Sequence, residues 1–157
     1  MKTTNYMRTL KVAASSILIS GALFLLGSPL AHAALLTVGA SSPPFGGFIC
    51  ADVRNASIVP LTPVQAFDCL GDLNEQFNFN GFTIFAMGGT RCLDVSGTLR
   101  VVSNTCTGSL TQTWSYFGGE IINENSGLCL DATTLANGTQ LVTRTCNGAR
   151  SQNWQIK

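Results

Sequence analysis

The sequence predicts an all-β domain built from three repeats. Three observations predict it. Residues 64–77, 101–114 and 141–154 align without a gap, each with Cys sixth, Gly eighth and an aromatic fourteenth. A second series, Cys50-Ala51-Asp52, Cys92-Leu93-Asp94 and Cys129-Leu130-Asp131, runs in step with the first. No helix-length 3.6-residue pattern follows residue 33; short runs rich in Ile, Val, Thr and Phe alternate with Gly, Asn and Ser turns.

Each element follows in chain order. Lys2, Arg8 and Lys11 precede an apolar run from Val12 to Leu26, and Ala31-His32-Ala33 has the small residues of a cleavage site. This reads as a secretory signal peptide over residues 1–33. The run of 15 residues falls short of the roughly 20 needed to span a bilayer, so no membrane insertion is expected. Residues 34–157 then form one domain with repeats at about 36–79, 80–117 and 118–157. Strand-like runs include Phe82–Met87, Thr98–Val102 and Gln140–Thr143. Ile84 and Ile121 each lie seven residues beyond the aromatic of the preceding motif. Gly-rich turns, Gly46-Gly47, Gly88-Gly89 and Ser126-Gly127, come before the Cys-x-Asp units.

Composition excludes several functions. Without the leader, six basic residues face eight acidic ones, a net charge of −2, so no basic patch invites nucleic acid or anionic lipid. The lone histidine, His32, sits in the leader, which removes His-based triads and the commonest zinc sites from the rest of the chain. No metal, cofactor or catalytic residue is expected, and the chain reads as a non-enzyme. All six cysteines lie beyond the leader. An even count in an exported chain reads as disulfides, with 15 pairings open to six cysteines. Equivalence of the repeats favours pairing within each: Cys50–Cys69, Cys92–Cys106 and Cys129–Cys146. Closing such loops stabilises by about 3 kcal/mol each in the chain-entropy account.

The combination Cys-Leu-Asp, then Cys-x-Gly-x₃-Gln-x-Trp, resembles the ricin B-type lectins. Gln112-Thr113-Trp114 and Gln152-Asn153-Trp154 carry the Q-x-W signature intact, and the resemblance covers about residues 36–157. It implies a β-trefoil of twelve strands, a six-stranded barrel closed by three hairpins, and the within-repeat disulfides. It also implies carbohydrate binding, with galactose or N-acetylgalactosamine-like glycans as ligands.

Binding a pyranose in water needs a flat aromatic under its C–H face and planar polar groups at its hydroxyl edge. In the family the platform lies two residues before the second Cys of a repeat. A Gln often lies four before it, and an Asn-Gln pair five and six after it. Carried over, the first repeat offers Asp52, Gln65, Phe67, Asn74 and Glu75. The second offers Asp94, Val102, Asn104, Thr111 and Gln112, with no platform and a Cys-to-Cys stretch five residues shorter. The third offers Asp131, Val142, Arg144, Ser151 and Gln152; of these, Asp131, Arg144 and Gln152 mark a second, weaker site. Trp114 and Trp154 read as core plugs, with Phe77 in the same role. The main expectation is therefore a secreted lectin, extracellular or periplasmic, with one site in the first repeat. The alternative is a trefoil subunit that binds no sugar and serves as a protein-interaction or toxin cell-targeting module beside a separate catalytic or toxin partner.

Overall fold

The computed structural model describes residues 34–38 and 48–157; the leader read over residues 1–33 and the Gly46-Gly47 turn lie outside the described residues. Among the described residues no helix is long and apolar enough to cross a membrane. The only helical pieces described are single 3₁₀ turns.

The first repeat supplies β1 (Ala34–Val38), β2 (Ile49–Val53), β3 (Thr62–Asp68) and β4 (Gln76–Asn80). The second supplies β5 (Thr83–Ala86), β6 (Arg91–Val95), β7 (Val101–Asn104) and β8 (Trp114–Phe117). The third supplies β9 (Glu120–Asn123), β10 (Leu128–Asp131), β11 (Thr139–Gln140), β12 (Val142–Arg144) and β13 (Trp154–Ile156). β11 and β12 flank Leu141 and act as one interrupted strand, because β11 pairs β3 while β12 pairs β10. Counted so, there are four strands per repeat and twelve in all.

Their pairing makes a β-trefoil. The first and last strands of the repeats form a closed antiparallel ring: β1 pairs β4, β4 pairs β5, β8 pairs β9, and β13 pairs β1. Single contacts complete it, a Thr83–Thr113 bridge between β5 and β8 and a Trp154 N–H bond to the Gly119 carbonyl. Closure leaves the barrel without a free sheet edge. The hairpins β2–β3, β6–β7 and β10–β12 form the cap, and successive hairpins touch through β3–β7, Arg100–Val142 and β11–β3.

Sequence periodicity explains the core. Leu36, Ile84 and Ile121 occupy equivalent ladder positions, opposite Ile156, Phe79 and Tyr116, and all three are fully buried. Phe77, Trp114 and Trp154 form the next layer. Each indole donates to the backbone of its own repeat, Trp114 Nε1 to the Leu93 carbonyl at 3.0 Å and Trp154 Nε1 to the Leu130 carbonyl at 2.9 Å. Phe77 has no such donor. All three expected disulfides are present, Cys50–Cys69, Cys92–Cys106 and Cys129–Cys146, and no cysteine among the described residues is free.

Candidate functional site

The polar face of each hairpin is set by strand alternation. In the first repeat Asp52 stands opposite Gln65, and Cys50 opposite Phe67, so all four side chains share one face of β2–β3. Asn74 joins them from the 3₁₀ turn Leu73–Glu75. Gln65 Nε2 donates to Asp52 Oδ1 at 2.8 Å, and Asn74 Nδ2 donates to Asp52 Oδ2. Arg54 Nε donates to Gln65 Oε1 at 2.8 Å, which fixes the amide with its nitrogen toward Asp52. Phe67 is half-buried beside them. A cavity of about 210 Å³ opens here, lined by Asp52, Asn55, Gln65, Phe67, Leu70 and Asn74.

Burial of the Asp52 carboxyl raises its pKa above the ordinary 3.8. The hydrogen bonds from Gln65 and Asn74 and the charge of Arg54 oppose that rise, and the charge of Asp72 adds to it. An ionised carboxylate has about four lone-pair positions, so two amide donors leave capacity for ligand hydroxyls.

Glu75 is placed elsewhere. It is 1% exposed and does not line the cavity. Its Oε2 accepts from the backbone N–H groups of Leu70 and Gly71, at 2.8 and 2.6 Å. Gln112 and Gln152 do the same work in their repeats. Gln112 Oε1 accepts from Thr107 and Gly108, and Gln152 Oε1 accepts from Asn147. All three end a 3₁₀ turn and clamp the loop after the second Cys. That loop needs the repeated glycine: Gly71, Gly108 and Gly148 have φ of 82°, 71° and 67°, a left-handed conformation that a Cβ disfavours. The amides differ from Glu75 in one respect. Gln112 Nε2 and Gln152 Nε2 each donate, at 3.0 Å, to Asp94 and Asp131. Glu75 has no proton to give Asp52 when ionised, and Gln65 with Asn74 supply the donors instead. Glu75→Ala is therefore expected to cost about 1–3 kcal/mol in a urea titration, by stranding two N–H groups. Glu75→Gln is expected to leave the midpoint unchanged or raised, because its oxygen keeps the clamp.

The other repeats are filled by their own polar groups. Asp94 Oδ2 accepts from Asn104 and Gln112, while Asp94 Oδ1 is buried without a partner. The cause is Val102, which stands opposite Asp94 where Gln65 stands opposite Asp52. Val142 makes the same replacement in the third repeat, but there Asp131 Oδ1 accepts from Thr133 N–H at 2.6 Å. The trio Asp131, Arg144 and Gln152 is not gathered into one cavity. Gln152 is fully buried on Asp131, whereas Arg144 is exposed and lines a separate depression.

Family comparison fits this geometry. The family model of the ricin-type beta-trefoil lectin domain matches residues 46–154. The chain belongs to the ricin-type β-trefoil lectin family. Carbohydrate binding is the general property of this family, whose domain is in general a non-catalytic module. No curated protein matches the sequence. Among solved structures, the trefoil resembles the earthworm R-type lectin C-half in complex with GalNAc, at 13% identity and a TM-score of 0.66, covering 80% of this chain and 98% of that one. It also resembles the β-trefoil lectin of the Vibrio vulnificus hemolysin/cytolysin with N-acetyl-D-lactosamine bound, at 20% identity and a TM-score of 0.64, covering 81% and 95%. A third likeness is to a mosquitocidal holotoxin, at 20% identity and a TM-score of 0.65, covering 80% of this chain and 17% of that chain.

Asn55, Leu70 and Arg54 escaped the family-based reading. Arg54 and Asn55 belong to a 3₁₀ turn, Arg54–Ala56, in the longer connection of the first repeat. Asn55 adopts φ 57°, ψ 25°, a conformation Asn tolerates better than most residues. The signal available in the sequence was the longer Cys50–Cys69 stretch, five residues longer than Cys92–Cys106 and two longer than Cys129–Cys146.

Proposed function

We propose that this chain is an exported lectin whose working site is the first-repeat cavity, binding a galactose- or N-acetylgalactosamine-like residue. One observation carries the reading: an aromatic ring, an Asp held by two amides and a cavity of about 210 Å³ coincide in this repeat. In this reading Phe67 underlies the C–H face of the sugar. Asp52 accepts from adjacent hydroxyls, and Asn74, Asn55 and Gln65 complete the edge. Gln65 is a positioning residue as well, since it transmits the hold of Arg54 to Asp52. Export is supported by the basic-apolar leader and by three disulfides, which persist in oxidising compartments. A single shallow site implies a Kd of roughly 0.1–1 mM. A glycan array at high ligand density tests the reading. Binding to terminal galactose or N-acetylgalactosamine is expected; a blank array would sink it.

Acidification gives a second check. Protonating Asp52 removes an acceptor, so affinity is expected to fall with pH at a midpoint above 3.8. Stability has the opposite sign. A carboxyl whose folded pKa is raised contributes stability below its unfolded pKa and loses that contribution as pH rises through the folded pKa. Calorimetric titration from pH 7 to pH 4 should show binding weaken while the protein stays folded. Constant affinity across that range would remove Asp52 from the contact set.

The likeness to part of a mosquitocidal holotoxin favours a second reading, a targeting module that works with a separate toxin or catalytic subunit. Co-purification of a partner from the native source would support it. Sugar binding and such a role are compatible, because a lectin site is one way to hold a cell surface.

A further inference from the structure

We propose that the seam between the second and third repeats is a separate binding site for a carboxylate-bearing sugar. The seams of the cap are unequal. Between the third and first repeats, the seven-residue connection 132–138 lies along β3. There Gly138 N–H bonds the Ala66 carbonyl at 2.8 Å, and Asn137 Nδ2 donates to Asp68 at 2.7 Å. Between the second and third repeats, the connection 96–100 has five residues and meets β12 through Leu99, whose carbonyl accepts from Thr143 N–H at 2.8 Å. No side-chain hydrogen bond like that from Asn137 joins 96–100 to Thr145 among the described residues. The shorter connection leaves a depression of about 490 Å³, lined by Leu99, Leu128, Thr143, Arg144, Thr145 and Asn147.

The chemistry of this lining differs from that of the first-repeat cavity. It has no carboxylate. Arg144 contributes a planar, permanently charged fork suited to a carboxylate. Asn147 spends its side-chain oxygen on the Ala149 N–H at 2.9 Å, which leaves its amide nitrogen to donate. The Thr145 hydroxyl adds a third donor. Leu99 and Leu128 offer an apolar wall to the C–H face of a ring. Neither Asp131 nor Gln152 lines the depression, although Arg144 on β12, opposite Cys129, holds the register position that Phe67 holds in the first repeat. The carboxylate of Glu120 lies within 4.8 Å of the Cys129 and Cys146 sulfurs and outside the lining.

NMR titration of methyl-labelled full-length mature protein with methyl glucuronide, and with methyl glucoside as the neutral isostere, tests the proposal. Glucuronide is expected to shift the Leu99 and Leu128 methyls at millimolar concentration, and glucoside is not. Arg144→Gln should weaken the glucuronide response about three- to fivefold, as an exposed charge pair allows. Raising the salt concentration should weaken it as well. Phe67→Ala should leave the response intact, which keeps this site distinguishable from the first-repeat cavity. Equal responses to the two sugars, full binding by Arg144→Gln, or shifts confined to the Leu70 methyls of the first-repeat cavity would each overturn it.

Discussion

Phe67→Ala is expected to abolish detectable glycan binding while the protein stays folded. The ring is the central apolar element of the first-repeat cavity, and truncating a central aromatic contact costs about 2 kcal/mol or more. At roughly 1.4 kcal/mol per decade, that weakens binding about 30-fold and carries a Kd of roughly 0.1–1 mM into tens of millimolar at its upper end. Stability should change little by comparison, because Phe67 is only half-buried and lies outside the core formed by Leu36, Phe77, Ile84 and Trp114. Circular dichroism separates the two effects. Phe67→Trp, which widens the platform, should retain binding or strengthen it. If Phe67→Ala binds as the wild type does, the site lies outside the first repeat.

Trp114→Ala should be the most damaging single change to the fold. The side chain is 1% exposed, and its indole donates to the Leu93 carbonyl inside the core. Removing a buried aromatic costs about 3–5 kcal/mol through lost transfer energy and a residual cavity. Against a total stability of about 5–15 kcal/mol, this takes a large share and lowers the melting temperature by about 9–25 °C, at about 3–5 °C per kcal/mol. Trp114→Phe copies what Phe77 does in the first repeat and should cost less than half as much. A loss below about 1 kcal/mol for Trp114→Ala, measured by urea unfolding with intact disulfides, would contradict the plug role.

The repeats made the fold readable. Cys at the sixth place, Gly at the eighth and an aromatic at the fourteenth are each tied to one backbone demand: a disulfide, a left-handed turn and a core layer. Because the demand recurs three times, the pairing of six cysteines and the threefold plan followed together. The candidate site was readable where strand alternation applies, in the limited sense that Asp52, Gln65 and Phe67 share a face by register alone. It was less readable at position 75. A polar residue there satisfies either a ligand or its own turn, and the sequence pattern is the same for both; the clamp on Leu70 and Gly71 decides in favour of the turn. Arg54 and Asn55 escaped because their turn belongs to the longest of the three cap-hairpin connections, where the aligned residues of the other repeats, Ser96-Gly97 and Thr133-Thr134, differ in type. Arg144 was readable as an exposed cation, but its surroundings depend on the length of a connection in the preceding repeat, which no alignment of equivalent positions contains.

The ring that closes through β1 and β13 sets a schedule for the nascent chain. β1 draws on Ala34–Val38 and β13 on Trp154–Ile156, so the barrel's closing ladder joins segments about 120 residues apart. Translation delivers β13 long after β1, and until then β1 waits with one edge open. Two repeats and a cap hairpin of the third can emerge without a closed barrel to lock them. A barrel whose closing ladder joins segments so far apart closes late, because the loop-closure entropy of a long-range pairing is met before its contacts form.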